Sequence, residues 1–199
     1  MNNIFWNQRF SDDEFVYGTF PNQFLKEQLE QIKPGKLILP GEGEGRNAAY
    51  AAQNGWDVDA VDFSNAGKEK ALRLATKLNL KINYTIADLN EYHFSQMTYD
   101  TAGIIFLHMN PQLTSKVFNG IINSLKPGGR VIVELFSKNQ FGKSSGGPQN
   151  LEVLYSVEEL LIYFYTLVTV IAEEKEILLS EGNFHKGSAS VIRYVGVKK

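Results

Sequence analysis

The chain has 199 residues, 43 % hydrophobic and 21 % charged, with a formal net charge of −2 and no cysteine. That suits one globular domain, long enough to bury about 70 % of its unfolded surface. It excludes disulfides, thiolate catalysis and cysteine-zinc sites, and it offers no basic excess to attract nucleic acid or an anionic membrane.

The first 24 residues hold seven aromatics: Phe5, Trp6, Phe10, Phe15, Tyr17, Phe20 and Phe24. They follow neither a helix nor a strand period, so residues 1–33 are read as a folded-over lid segment and a helix. Most of these rings are read as packing against the rest of the chain. Arg9, and Tyr17 beside Gly18, are the candidates for contact with a ligand. The opening MNNIFWNQRFSDDEF lacks the basic start and apolar core of a secretory signal. No apolar run approaches the roughly 20 residues of a membrane span. A cytoplasmic location is therefore expected.

From Pro34 onward, short β-rich runs alternate with helical patterns, which predicts parallel strands joined by helical crossovers. KLILP (36–40) is the first strand, and RNAAYAAQNG a helix stopped by Gly55. WDVDAVDF (56–63) is the second strand. Ser64 caps the next helix, whose apolar face is Ala71, Leu74, Ala75 and Leu78. KINYTIAD (81–88) is the third strand. TAGIIFLHM (101–109), apolar throughout, is a central strand covered on both faces. Leu113, Val117, Phe118, Ile121 and Leu125 mark the following helix. LKPGG ends it, and RVIVELF (130–136) is the fifth strand. Residues 34–136 are thus read as a ligand-binding core.

Residues 137–199 are read as a loop, a helix and a terminal hairpin. Lys138 to Gln149 is polar and glycine-rich, which predicts a mobile loop. Ser156 and Glu159 form a capping box ahead of LLIYFY. Two β-like runs follow, about 167–179 and 188–198. The connection SEGNFHKG is too short for a parallel crossover, so these strands pair antiparallel. The prediction is a doubly wound, mostly parallel α/β sheet of seven strands, closed by a C-terminal antiparallel hairpin.

The turn after the first strand reads LPGEGEGRN (39–47), with glycines at 41, 43 and 45. Glycines there let a nucleotide approach the backbone, and the next helix offers free N–H groups. The dinucleotide fingerprint GxGxxG is not matched, because Arg46 stands in its last glycine position. Glu42, Glu44 and Arg46 sum to −1. A carboxylate about 6 Å from a phosphate charge costs on the order of 3 kcal/mol at an effective dielectric of 20. The loop therefore disfavours a pyrophosphate and suits a phosphate-free cation such as S-adenosylmethionine. Asp62 ends the second strand 17 residues after Gly45, placed to accept hydrogen bonds from ribose hydroxyls, with Phe63 next to it. Asp88 ends the third strand, within reach of an adenine amino group, with Ala87 and Leu89 flanking the ring. These features lie on one edge of the sheet.

GEGEGRN, AVDFS, IADLN and LKPGGRVIVELF, in this order, resemble class I S-adenosylmethionine-dependent methyltransferases over residues 37–136. WNQRF…VYGTFPNQFL and FHKGSASVIRYVG are similar to the tellurite-resistance and thiopurine-methyltransferase-like branch, which extends the resemblance to nearly the whole chain. It implies a Rossmann-like methyltransferase fold and S-adenosylmethionine as cofactor. Gly41, Gly43 and Gly45 would line its methionine portion, Asp62 its ribose and Asp88 its adenine. Leu107 and His108 would flank its reactive end. Many relatives place an acid two residues before the first glycine, where this chain has Leu39. Glu42 or a backbone carbonyl must then orient the cofactor's amino group.

Methyl transfer from a sulfonium is an in-line displacement that needs a base only when the acceptor carries a proton. No catalytic triad is expected. The last strand is antiparallel, so its start lies at the ligand edge, and His185 there is the candidate substrate contact or proton acceptor. Arg193 is about 26 Å of extended strand away and is read as paired with a carboxylate. His93, His108 and His185 lack metal-ligand spacing, so no metal is expected. The function expected is methyl transfer to a small molecule. The alternatives are a non-catalytic binder of the same cofactor and a nicotinamide-dependent oxidoreductase. The acceptor and the oligomeric state are not specified by the sequence.

Overall fold

The computed structural model describes residues 3–199. Two short helices, α1 (Asn3–Arg9) and α2 (Gln23–Leu29), precede the alternating core. The core runs β1 (Lys36–Pro40), α3 (Arg46–Gln53), β2 (Asp57–Asp62), α4 (Asn65–Lys77), β3 (Asn83–Ile86), β4 (Tyr99–Ile105), α5 (Pro111–Ser124) and β5 (Leu125–Phe136). After a segment with two 3₁₀ turns come α6 (Val157–Tyr163), β6 (Leu167–Glu181) and β7 (His185–Lys198). The seven strands form one sheet in the order β3-β2-β1-β4-β5-β7-β6. The first five are parallel, and β7 runs antiparallel to both β5 and β6.

The apolar runs bury as their patterns require. On one face α2, α3 and α4 set Leu25, Ala48, Ala51, Ala71 and Ala75 against Leu37, Leu39, Val58 and Ala60. On the other, α5 and α6 pack Val117, Phe118, Ile121 and Leu160 against Ile104, Val131, Val133 and Tyr194. Phe164 stacks between Phe118 and Tyr194, with ring centroids 5.0 and 4.9 Å away. The alanines of α3 and α4 let those helices lie close to the sheet, which fixes the loops at its upper edge.

Helix starts follow their side chains. Ser64 accepts from the Gly67 N–H at the head of α4, and Ser156 and Glu159 form the reciprocal box on α6. Three details differ from the sequence reading. Leu78 is the C-cap of α4 and exposed, because the helix ends one residue before its fourth apolar position arrives. The LKPGG run belongs to β5, paired from Leu125 through a register shift opposite Tyr99 and Thr101. The 138–149 segment is tied down: buried Gln140 donates to Ser145 Oγ at 2.9 Å and to the Gly146 carbonyl at 2.8 Å, and accepts from the Ser190 N–H at 2.8 Å.

Candidate active site

The strand order reverses between β1 and β4, so their crossovers leave in opposite directions and a crevice opens above their C-terminal ends. The glycine turn sits there. Gly41, Gly43 and Gly45 all adopt left-handed backbone angles, φ +72°, +59° and +82°. Gly41 and Gly43 carry only the Leu107 and Phe10 side chains over them. Gly45 has another task. A Cβ there would collide with the Cβ of Ala71 and lie 2.8 Å from its Cα, so this glycine brings α3 against α4.

Neither loop glutamate faces outward. Glu42 Oε1 accepts from the Ala48 N–H at 2.7 Å and Oε2 from Asn47 Nδ2 at 3.4 Å, so the carboxylate caps the first turn of α3. Burial pushes its pKa up to about 7, against the pull of those donors and of Arg46. Glu44 is 4 % exposed and pairs with Lys70 Nζ at 2.8 Å. It also accepts from the backbone N–H groups of Val16 and Tyr17, at 3.1 and 3.3 Å. Glu44 is therefore the latch of the N-terminal segment.

That segment lies over the glycine turn. Phe10 is buried against Gly43 and Gly67. Asn7 Oδ1 accepts from Ser64 Oγ and the Ala66 N–H at the head of α4. Lys70 also holds the Glu14 carbonyl, at 2.6 Å.

Asp62 is buried at the end of β2 and accepts from the N–H groups of Gly43 (3.0 Å) and Ser64 (2.9 Å). Burial raises its pKa, and those two donors and the Phe63 N–H oppose the rise. Phe63, Ala87 and Asp88 line an adjoining crevice of about 1000 Å³ with Ile86, Leu113 and Lys116. Asp88 is exposed and takes the Asn90 N–H into a turn at 2.8 Å. Leu89 is half-buried against the α5 side of the core.

Past β4 the chain turns sharply. Phe106 has φ +49°, a strained value for an aromatic residue, and its N–H donates to the Glu134 carbonyl. The turn aims its ring at His185, with centroids 4.7 Å apart. Both nitrogens of His108 are used: Nδ1 donates to the Val153 carbonyl at 2.7 Å and Nε2 accepts from the Phe136 N–H at 3.3 Å. Burial holds this imidazole down to about 4, so it is a neutral wall.

His185 opens β7, buried at the same edge. Tyr17 lies on it at 4.5 Å between centroids, and Phe106 and Phe136 complete the aromatic surround. Its Nδ1 meets Glu181 Oε2 at 3.1 Å. Burial lowers its pKa, and the Glu181 carboxylate offsets part of that fall. Arg9 stacks on Phe184, 4.0 Å from the ring centroid, at the mouth of this cluster. Arg193 pairs with Glu134 at 2.6 Å, as its distance along the strand predicts.

Thus Tyr17 packs on His185 and Arg9 on the adjoining Phe184, Phe63, Ala87 and Asp88 line the neighbouring crevice, and Gly43 and Asp62 are buried, joined by the Gly43 N–H. Sequence reasoning missed Glu181, Arg46, Glu44 as a latch, and Phe106. A hairpin register would have found the first, because a three-residue turn sets Glu181 opposite His185. Among the described residues no cluster of His, Asp and Glu is placed to hold a metal.

The profile of the family described as "Tellurite resistance protein TehB" matches residues 11–186, a span that contains the glycine turn, Asp62, Asp88 and His185. The chain is 31 % identical over 127 residues to phosphoethanolamine N-methyltransferase 2 of Caenorhabditis elegans, covering 62 % of this chain and 29 % of that protein. It is 28 % identical over 110 residues to demethylmenaquinone methyltransferase of Renibacterium salmoninarum, covering 55 % and 45 %. The chain therefore spans less than half the length of these curated relatives. Its fold superposes on the crystal structure of TehB from Haemophilus influenzae with a TM-score of 0.75 at 17 % identity, covering 99 % of this chain and 67 % of that one.

Proposed function

The chain belongs to the tellurite resistance protein TehB family, and from that premise we propose that it transfers the methyl group of S-adenosylmethionine to a small-molecule acceptor. The observation that carries the proposal is a convergence. A left-handed glycine turn, an open crevice beside the ends of β2 and β3, and a buried imidazole under an aromatic lid share one edge of the sheet.

The residues present fit the cofactor. Gly41, the half-buried glycine of the turn, would face the methionine portion, Gly43 acts by fixing Asp62 through its N–H, and Asp62 would offer its remaining lone pairs to the ribose. Phe63, Ala87 and Asp88 line the crevice that would take the adenine, with Leu89 packed against the core beside them. With both Glu42 oxygens engaged, backbone carbonyls of the turn are left to orient the amino group. When bound, the cofactor supplies a methyl group on an electrophilic sulfur. The protein must position the acceptor and exclude water. Tyr17, Phe106, Phe136 and Phe184 wall the acceptor side, Arg9 stands at its mouth, and Nε2 of His185 accepts the proton of a protonated acceptor. The small-molecule acceptor and a cytoplasmic location complete the proposal. No helix among the described residues is long and apolar enough to cross a membrane.

The test is release of S-adenosylhomocysteine by the purified chain with sodium tellurite, sodium selenite and a panel of small thiols and amines. Acceptor-dependent release is expected with at least one of them. His185→Ala should lower it about 10²-fold or more. Retained turnover in that variant removes His185 from the mechanism, and cofactor binding with no turnover on any acceptor leaves a binding protein.

A further inference from the structure

The β6–β7 turn spans only Gly182–Phe184, so Glu181 and His185 form the last pair of the ladder and face each other. Three elements converge on the Glu181 carboxylate. Oε2 meets His185 Nδ1 at 3.1 Å and Arg46 at 2.8 Å, and Oε1 accepts from Asn22 Nδ2 at 3.4 Å. Arg46 follows Gly45 directly and also donates to the Phe20 carbonyl. A carboxylate only accepts hydrogen bonds, so the shared proton sits on Nδ1 and the lone pair on Nε2. Nε2 is then the nitrogen left for a ligand, within the surround of Tyr17, Phe106 and Phe136.

We propose that Glu181 is a positioning residue: its carboxylate sets the tautomer and aim of His185 and, through Arg46, ties that imidazole to the glycine turn. The proposal rests on the reading of His185 as proton acceptor. Methyl transfer tolerates little error in approach, and a base and a cofactor turn held by one carboxylate keep a fixed separation. The charged and titratable groups facing His185 are Glu181 from β6, Arg46 from α3, Arg9 from α1, Tyr17 from the lid and His108 after β4. Only Glu181 favours the imidazolium, whereas Arg46 and Arg9 oppose it.

Long-range ¹H–¹⁵N spectra of the labelled full chain read both tautomer and titration. In the wild type, neutral His185 should be the Nδ1–H form. Glu181→Gln should lower its titration midpoint by about one unit or more and mix the tautomers. Arg46→Gln should raise the midpoint, because the carboxylate is then left to the imidazole. The acid limb of the pH profile of S-adenosylhomocysteine release should move in the same two directions. A midpoint and tautomer unchanged in both variants overturn the proposal. Should Glu181→Gln fail to fold, Arg46→Gln decides alone, since a midpoint that stays or falls is the contrary result. The failure of the base assignment is separate: it is turnover retained in His185→Ala, whatever the spectra show.

Discussion

Glu42 and Glu44 are two residues apart and do unrelated work. Glu44 is neutralised by Lys70 and clamps two lid amides, whereas Glu42 is buried among neutral donors at the head of α3. The second arrangement has a sign that pH reveals. A carboxyl whose pKa rises on folding, here from 4.5 to about 7, binds its proton more tightly in the native state. Its stabilisation is complete below the unfolded value and is lost as pH rises towards 7, a change on the order of 3 kcal/mol. Glu42→Gln mimics the protonated form and keeps an acceptor for the Ala48 N–H. In urea unfolding it should therefore gain stability relative to wild type between pH 5 and pH 8. A difference constant across that range would show that Glu42 does not titrate there. Gly45 is a second case where one atom decides. Gly45→Ala must strain a left-handed backbone and overlap the main chain of α4. The expected loss is about 2–5 kcal/mol in the same unfolding measurement, strain and overpacking together.

At the scale of elements, the lid depends on a turn in another part of the chain. A Cβ on Gly182 would overlap the Val16 carbonyl oxygen and lie 2.8 Å from Tyr17 Cα, and its own φ is +65°. Asn183 N–H donates to that same carbonyl at 3.1 Å. Gly182→Ala should lift the segment off the β6–β7 turn while leaving the sheet intact. Exchange of the Val16 and Tyr17 amides should quicken at least about tenfold with β5 unaffected, since local opening needs only about 1.4 kcal/mol for that factor. Equal protection in the variant would mean that the lid is held by Glu44 alone. The elements themselves were largely readable, because apolar runs of four to six residues bounded by glycine or a cap leave few assignments for β1, β2 and β5. The hairpin followed from the length of its connector. The seat of the lid was not readable: Phe10, Asn7 and Tyr17 obey no period, and their partners lie on α4 and β7.

Across the whole molecule, the loop's formal charge was legible and its direction was not. Glu44 looks free in sequence because Lys70 is 26 residues away, and Arg46 because Glu181 is 135 away. With Glu44 paired and Glu42 capping a helix, charge alone no longer separates a sulfonium from a pyrophosphate at this edge. Geometry does so better. The third glycine is filled by Ala71, the guanidinium of Arg46 is committed to Glu181, and Phe10 covers Gly43. Little of the turn is left to wrap a dinucleotide. A ligand that joins the ends of β1, β2 and β3 should also stabilise the sheet as a unit. At 100 times its dissociation constant, it adds about 2.7 kcal/mol to folding. For a chain of this length that moves the thermal midpoint by roughly 5–10 °C. S-adenosylmethionine and S-adenosylhomocysteine should each give such a shift, and NADH and NADPH next to none, in one thermal-shift series at fixed pH. A larger shift with a nicotinamide dinucleotide than with either sulfur nucleoside would reverse the assignment of the cofactor, whatever the fold.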